Sequence, residues 1–528
     1  MDQSVPVIKP WVPEWLIRGI IFMVVLPSWL LFGLSVTNTA AAVGYYGFEP
    51  ADVQYSVIVF FAALVSYYAL ERRFFEYLGP KEYFVVGTLI HFIAAFVCYH
   101  THNLYVLLLF RFIQGMANCG ITSICITLIF GRLRSERSRE IGYSVYYGSM
   151  LCSAPFCLLL TAQLVDAYDY SVIYKAMMYF LLPGAIGLYL ILNSVRLHKK
   201  IPLYQIDWAS FVIYSSFLCL LGYVCVYGQQ YYWLQDRRIQ ASVVALIALL
   251  ILHYYRQSAL KRPSHHMNAM WYRNFWVGLV LLSILYLIRG SLVFTTLYFG
   301  NSLGMDPIHI SYIMIANICG IASGVLIASR LMLLKKSMRM ILSNGFLILL
   351  VFHTWMIFLF STEADMATFI LPLLLQGLGV GLLMTPIIVF CISSVPKQIA
   401  VTAAATAVLF RFLGFVASTA MVNYYQLYNQ ANHVNRFQED LSILNGAAID
   451  RMETYKSLLL GKGIPADQAT NMANKLFSKS VELQAQLRSA VDYYKLISIL
   501  LVVVILVIAF FPYINRTIIN VKSRQPAP

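Results

Sequence analysis

Long apolar runs recur along the whole chain and are separated by short polar segments. Most runs reach the roughly 20 residues that an α-helix needs to cross the ~30 Å hydrocarbon core of a bilayer. The pattern therefore predicts an all-α polytopic membrane protein with fourteen spans. We place them near residues 17–43, 54–71, 82–101, 103–130, 140–165, 170–195, 206–228, 239–255, 273–299, 308–330, 338–361, 366–393, 399–425 and 491–514.

The sequence also repeats itself weakly. The stretch "ERRFFEYLGPKEYFVVG" at 71–87 aligns with "SRLMLLKKSMRMILSNG" at 329–345, and Gln114-Gly115 aligns with Gln376-Gly377 at nearly the same offset. Parallel repeats of this kind build the two halves of many transporters. The alignment predicts an N-terminal six-helix half at 1–200, two inserted helices at 201–262 and a C-terminal six-helix half at 263–528.

One long segment, residues 426–490, is polar and interrupts the membrane pattern. Apolar positions recur in it at helical spacing, and the segment "GKGIPAD" divides them into two series. Gly461 can end one helix, and Pro465 with Asp467 can begin the next. We predict a helical hairpin that continues the thirteenth and fourteenth spans outwards, on the extracytoplasmic side.

Composition agrees with this pattern, since 60% of the residues are hydrophobic and only 12% are charged. The net charge of +15 could indicate nucleic acid binding, but the basic residues cluster in alternate loops. They are Arg72, Arg73 and Lys81; Arg132, Arg134, Arg137 and Arg139; Arg196, Lys199 and Lys200; Arg256, Lys261 and Arg262; and Arg330, Lys335, Lys336 and Arg339. Positive residues favour cytoplasmic loops, so we expect both termini in the cytoplasm and no nucleic acid partner.

No motif indicates an enzyme. The sequence contains no P-loop and no HExxH, and its nine cysteines all lie in apolar spans without metal-ligand spacing. The pair His265-His266 stands alone in a predicted cytoplasmic loop. We therefore expect no catalytic residue, no metal and no cofactor.

Three arginines lie deep inside predicted spans: Arg111, Arg289 and Arg411. We find no carboxylate near the middle of any span, and a buried charge needs a partner, a carbonyl, water or an anion. Arg111 shares a polar helical face of small residues with Gly115, Asn118 and Thr122. Two readings stay open for it: it bonds the carbonyls of a broken neighbouring helix, or it lines a central cavity and meets substrate.

Other polar side chains in the spans complete the candidate site. Candidate substrate-binding residues are Asn38, Arg111, Gln114, Asn118, Arg289, Asn317, Gln376 and Arg411. Groups that could titrate during transport are Glu49, Asp52, Asp166 and His353, although a buried imidazole such as His353 is more often a satisfied packing group.

Four stretches carry a family resemblance. They are "RFIQGMANCG" at 111–120, "YQIDWASFVIYSSFLCLLGYVCVYGQQYYW" at 204–233, "RFLGFVAS" at 411–418 and "LQAQLRSAVDYYKLIS" at 483–498. Together they resemble the fourteen-helix drug/proton antiporter branch of the major facilitator superfamily, the EmrB and QacA type. The resemblance covers nearly the whole chain and implies two six-helix halves with a substrate site between them.

The chain departs from that family where coupling chemistry is expected. Family members carry an acid in the first helix that is implicated in proton coupling, and Ser35 stands at the matching position here. The fifth-helix antiporter motif survives only as Pro155. The loop after the second helix keeps little of its pattern beyond Arg72, Arg73, Gly79 and Lys81.

We hypothesise a secondary active exporter in a bacterial cytoplasmic (inner) membrane. An arginine-rich midplane without carboxylates favours anionic or weakly acidic amphipathic substrates by charge complementarity. The resemblance implies proton coupling, and it implies an assembly with a periplasmic adaptor and an outer-membrane channel through residues 426–490. The alternative is a transporter fold retained as a non-transporting scaffold or receptor.

Overall fold

The computed structural model describes residues 7–132, 138–195, 207–260, 272–396, 399–441 and 445–510. Within these ranges the chain is helical, with one isolated β-bridge between Ile8 and Leu192. The helices are α1 (Glu14–Thr37), α2 (Thr39–Tyr46), α3 (Pro50–Leu78), α4 (Pro80–His100), α5 (Leu104–Arg132), α6 (Ser138–Ala167), α7 (Val172–Ile191), α8 (Trp208–Tyr227), α9 (Arg237–Ala259), α10 (Arg273–Arg289), α11 (Ser291–Leu297), α12 (Pro307–Leu333), α13 (Met338–Leu359), α14 (Ala367–Ser393), α15 (Ala400–Asn423), α16 (Gln430–Asp440), α17 (Gly446–Gly461) and α18 (Ala466–Phe510).

Fourteen segments in the described ranges are long and apolar enough to cross a membrane. The prediction of an all-α protein with fourteen spans is therefore confirmed. Several residues that the sequence singles out lie outside the described part of the chain. They are the basic residues of 133–137, 196–206 and 261–271, the pair His265-His266, and the side chains of Ser35, Arg72, Arg73, Arg132 and Arg139.

Two spans are broken at positions that matter for the site. The first span divides at Asn38, which is the C-cap of α1 and the N-cap of α2. The ninth span divides at Gly290, between α10 and α11, so that Arg289 ends one helix and Ser291 begins the next. Breaks of this kind expose backbone groups inside a membrane protein only where other protein groups or a cavity can satisfy them.

Helices of the two predicted halves meet where α6 contacts α12 and α14 and where α3 contacts α15. At the repeated Gln-Gly pair, two helices pack equally closely in each predicted half. A β-carbon on Gly115 of α5 would lie 2.2 Å from the carbonyl oxygen of Phe60 in α3. A β-carbon on Gly377 of α14 would lie 2.2 Å from the carbonyl oxygen of Asn317 in α12. Glycine at both places lets two backbones touch, which is a common way of packing helices in membranes.

Helices α8 and α9, which the sequence predicts to be inserted between the halves, are joined by an ion pair at one end. Arg256 of α9 donates to the Asp207 carboxylate at 2.6 Å, and Asp207 also caps α8 through the backbone N–H of Ser210. Burial raises the pKa of Asp207, but the hydrogen bonds from Arg256 and Ser210 outweigh burial and hold that pKa below its usual range. Asp207 is therefore ionised at neutral pH and anchors the pair.

The polar segment near the C-terminus forms α16, α17 and the first part of α18. The chain turns at residues 462–465, where "GKGIPAD" predicts the turn, and α17 packs on α18 through Leu459, Ala469 and Ala473. The outgoing arm is less regular than predicted, because a π-helical turn at Tyr424–Asn429 precedes α16 and α16 ends at Asp440. Its position on the extracytoplasmic side stays a prediction.

Candidate functional site

A cavity of ≈ 90 Å³ lies where helices of both predicted halves converge. Helices α1, α3, α5 and α6 enclose it from one side, and α10 and α15 from the other. Its aromatic lining consists of Trp29, Phe61, Tyr68, Tyr146, Tyr147 and Tyr286. Thr122, Ser123 and Ser153 add small hydroxyls. A mostly apolar pocket with a few placed polar groups is the usual form of a small-molecule site.

The charged groups in this lining are Arg289 and Arg411, and no Asp or Glu is among the described residues that line it. Two of the three arginines singled out by the sequence therefore face one cavity. Their guanidinium groups are close enough to interact electrostatically, and both lie near the ring of Tyr286, at 5.5 and 5.3 Å from its centroid. The described lining therefore carries two positive charges and no matching carboxylate.

Arg411 contacts helices from both predicted halves. It lies on α15, its Nε donates to the hydroxyl of Tyr286 at 2.9 Å, and its Nη2 donates to the sulfur of Met150 on α6 at 2.7 Å. The ring of Tyr147, also on α6, lies 5.5 Å from the guanidinium carbon. A phenol oxygen and a thioether sulfur are neutral acceptors, and a thioether is a weak one. An anion would be a much stronger partner for the same edge of the guanidinium group.

Arg111, Gln114 and Asn118 do not line this cavity. Arg111 is fully buried within the N-terminal helices, where its Nη1 donates to Gln114 Oε1 at 2.9 Å and to the carbonyl of Leu31 at 3.4 Å. Leu31 belongs to α1, the helix that breaks at Asn38, so one bond predicted by the structural reading of Arg111 is present. The predicted contact of these three residues with substrate stays a prediction.

The remaining polar candidates are engaged in helix packing. Asn38 Nδ2 donates to Thr161 Oγ1 at 2.9 Å and to the carbonyl of Leu34 at 3.0 Å, which ties the break in the first span to α6. In the other half, Asn317 Nδ2 donates to Gln376 Oε1 at 2.5 Å and to the carbonyl of Leu373 at 3.0 Å. These three residues lie outside the cavity lining.

The candidates for coupling also lie outside it. Glu49 and Asp52 form a capping box at the start of α3. Asp52 accepts a hydrogen bond from Tyr227 at the end of α8, and Glu49 accepts one from Gln230 in the turn that follows. Asp166 is exposed near the end of α6.

His353 is fully buried and has a partner for each ring nitrogen. Nδ1 lies 2.7 Å from the carbonyl of Leu349, and Nε2 lies 3.0 Å from the hydroxyl of Ser291, next to the break at Gly290. This geometry agrees with the reading of His353 as a satisfied buried imidazole.

Sequence reasoning missed Tyr147, Met150 and Tyr286. Tyr286 lies three residues before Arg289 and therefore on the same face of α10, which is a signal that could have been used. Tyr147 and Met150 are also three residues apart, on one face of α6. No local sequence pattern shows that this face of α6 lies opposite Arg411, because Met150 and Arg411 are 261 positions apart in the chain.

Comparison with known proteins places these observations in context. Residues 16–419 match the family model of the Major Facilitator Superfamily. The multidrug export protein EmrB of Haemophilus influenzae is 21% identical over 390 residues, which covers 71% of this chain and 72% of EmrB. The probable multidrug resistance protein EmrY of Escherichia coli is 20% identical over 397 residues and covers 72% of this chain and 73% of EmrY.

Solved structures share the fold. A POT family transporter in complex with a thioalcohol-conjugated peptide superposes with a TM-score of 0.59 at 14% identity and covers 97% of this chain and 99% of its own. The human organic anion transporter MFSD10 (TETRAN) superposes with a TM-score of 0.52 at 13% identity and covers 79% of this chain and 95% of its own. At these identities the likeness concerns the fold alone.

Proposed function

This chain belongs to the major facilitator superfamily, and from that premise we propose that it is a secondary active exporter of anionic or weakly acidic amphipathic molecules, working by alternating access. The observation that carries the proposal is the cavity itself. Arg289 and Arg411 face it without a carboxylate in the described lining, and six aromatic side chains contribute to the remaining wall. This combination favours a substrate with one acidic group and an aromatic or aliphatic body.

The contacts of Arg411 suggest how binding of an anionic substrate would be linked to movement of the two halves. Its bonds to Tyr286 and Met150 connect α15, α10 and α6, and α6 belongs to the other half. A carboxylate or sulfonate would replace these neutral acceptors, because a charge-assisted hydrogen bond is roughly twice as strong as a neutral one. Substrate binding would then release the contact between Arg411 and Met150. The space present is small, so entry of substrate requires the two halves to separate on one side.

Reconstituted full-length protein tests this proposal directly. Two amphiphiles with the same aromatic body, one bearing a carboxylate and one a quaternary ammonium group, are offered to proteoliposomes under an imposed pH gradient. We expect transport of the carboxylate at least tenfold faster than transport of the cation, since the cavity repels a positive group. Faster transport of the cation would contradict the proposed substrate class.

Coupling to protons is part of the same proposal. Its supports are the resemblance to drug/proton antiporters and the titratable groups Glu49, Asp52, Asp166 and His353. Because these groups lie outside the cavity lining, coupling would act through helix movement, for example at the contact of His353 with Ser291 beside the break at Gly290. Transport that ignores both an imposed pH gradient and a membrane potential would contradict proton coupling.

We also propose that the segment 426–490 docks a periplasmic adaptor, and through it an outer-membrane channel. Its support is a helical arm, α17 packed on the first part of α18, that lies beyond the predicted end of the thirteenth span. Deletion of residues 446–482 should leave transport in proteoliposomes unchanged and abolish resistance to an exported acid in cells. Full resistance with the deletion would exclude this docking role, and lost transport in proteoliposomes would show that the arm serves the transporter itself.

A non-transporting scaffold or receptor remains the second candidate. It would bind the same anionic amphiphile without moving it. The proteoliposome assay separates the two, because a receptor shows saturable binding and no accumulation above the empty-liposome background.

A further inference from the structure

A second polar centre lies in the N-terminal half, apart from the cavity. It consists of Arg111, Gln114 and Asn118 on one face of α5, all three at 0% exposure. Five of their side-chain atoms have no hydrogen-bond partner among the described residues: Arg111 Nε and Nη2, Gln114 Nε2, and Asn118 Nδ2 and Oδ1. Four of the five are N–H donors, so the centre is rich in donors and poor in acceptors.

The Arg111 atoms without a described partner, Nε and Nη2, lie on one edge of the guanidinium plane. Nη1 is already used by Gln114 Oε1 and the Leu31 carbonyl, and the ring of Phe60 lies 4.7 Å from the guanidinium carbon. Nε and Nη2 point their N–H groups in parallel from the opposite edge of the plane. That edge is the fork with which arginine binds anions through two hydrogen bonds. None of the described contacts of Arg111 is with a carboxylate.

The fold itself does not require a charge here. The internal repeat aligns Gln114 with Gln376, and by the same alignment Arg111 corresponds to Leu373 and Asn118 to Val380. Leu373 and Val380 are buried at 0% and 1% exposure, so the second half packs the equivalent helix with apolar side chains. Burying a guanidinium group without a counter-ion is costly. The cation–π contact with Phe60 offsets only part of this cost.

We propose that Arg111, with Gln114 and Asn118, binds a small monovalent inorganic anion, of the size and charge of chloride, as a resident counter-ion of the N-terminal half. A monatomic anion is far smaller than an amphipathic substrate, so it suits this fully enclosed centre better. The Nε and Nη2 fork holds it, and the amide N–H groups of Gln114 and Asn118 complete its shell. The proposal is independent of the exporter activity.

Thermal unfolding of the full-length protein in nanodiscs tests this site. Sodium chloride is replaced by sodium gluconate at constant ionic strength. We expect chloride at about ten times its dissociation constant to raise the Tm by roughly 1–3 °C, because a ligand that binds only the folded state stabilises it. Arg111→Leu, which copies the residue of the other half, should unfold at a Tm that does not depend on chloride.

Two substitutions at Gln114 form a matched pair. Gln114→Glu places a carboxylate beside Arg111 and should remove the chloride effect, because the protein then supplies its own counter-ion. Gln114→Met has nearly the same shape without a charge but lacks the amide N–H, so it should weaken the chloride effect without removing it. In crystals soaked in bromide, we expect an anomalous peak within hydrogen-bonding distance of Arg111 Nε and Nη2.

Three outcomes would overturn the proposal. The first is no difference between chloride and gluconate in the wild-type protein, and the second is an equal difference in Arg111→Leu. The third is protection by an aromatic carboxylate that competes with bromide at Arg111. That result would assign Arg111 to the substrate site and leave the proposed function standing.

Discussion

Replacing Arg411 by Gln should lower the rate of export of an aromatic carboxylate by roughly 10- to 150-fold, which corresponds to the 1.5–3 kcal/mol of a hydrogen bond to a charged group. Glutamine keeps a polar group near Tyr286 and Met150 but removes the charge that would attract the substrate. Export of a neutral amphiphile with the same aromatic body should change much less. The measurement is initial uptake into proteoliposomes at several substrate concentrations.

Arg238 provides a matched control for this prediction. Its guanidinium carbon lies 5.6 Å from the ring of Tyr231, so it makes a similar cation–π contact, but it lies outside the cavity lining. Arg238→Gln should export the carboxylate at the wild-type rate. Combining Arg411→Gln with Arg289→Gln should abolish the preference for the carboxylate over the neutral compound. Selective loss of cation export in Arg411→Gln would contradict an anion site.

The architecture could be predicted from the sequence because bilayer physics constrains it strongly. Apolar runs of sufficient length give the fourteen spans, and Gly461 with Pro465 gives the turn between α17 and α18. The break at Asn38 was not predicted. Asn38 lies inside an apolar run, and the partner that stabilises the break, Thr161, is 123 residues away in the chain.

The candidate site could be predicted only in part, for a similar reason. An arginine in an apolar run indicates a functional or structural role inside the membrane. Hydropathy identifies Arg111, Arg289 and Arg411 in this way but does not distinguish between them. Which of them faces the space between the halves depends on helix rotation and on partners such as Met150, which lies 261 residues from Arg411. A single sequence does not show which distant residues contact each other. It therefore could not predict that Arg289 and Arg411 line the same cavity.

Replacing Gly115 by Ala should destabilise the protein by roughly 3 kcal/mol, at the upper end of the usual cost of overpacking. The new methyl group would lie 2.2 Å from the carbonyl oxygen of Phe60 and 3.0 Å from the β-carbon of Ala63. A backbone carbonyl inside a helix cannot turn aside alone, so α3 and α5 must separate. Gly377→Ala should have a comparable effect, since it meets the carbonyl of Asn317 at 2.2 Å. The measurement is thermal unfolding in nanodiscs.

Gly87→Ala is the control, because its methyl group would lie 3.8 Å from the nearest atom, a side-chain carbon of Ile121. Alanine is a better helix former than glycine by about 1 kcal/mol, so this variant should be unchanged or slightly more stable. Gly115→Ala and Gly87→Ala make the same chemical change in a helix, but only the first should lower the stability. The difference between their unfolding temperatures therefore reports the contact between α3 and α5. If Gly115→Ala unfolded at the same temperature as Gly87→Ala, α3 and α5 would not approach as closely as the repeated Gln-Gly pair implies, and the equivalence of the two halves at this contact would fail.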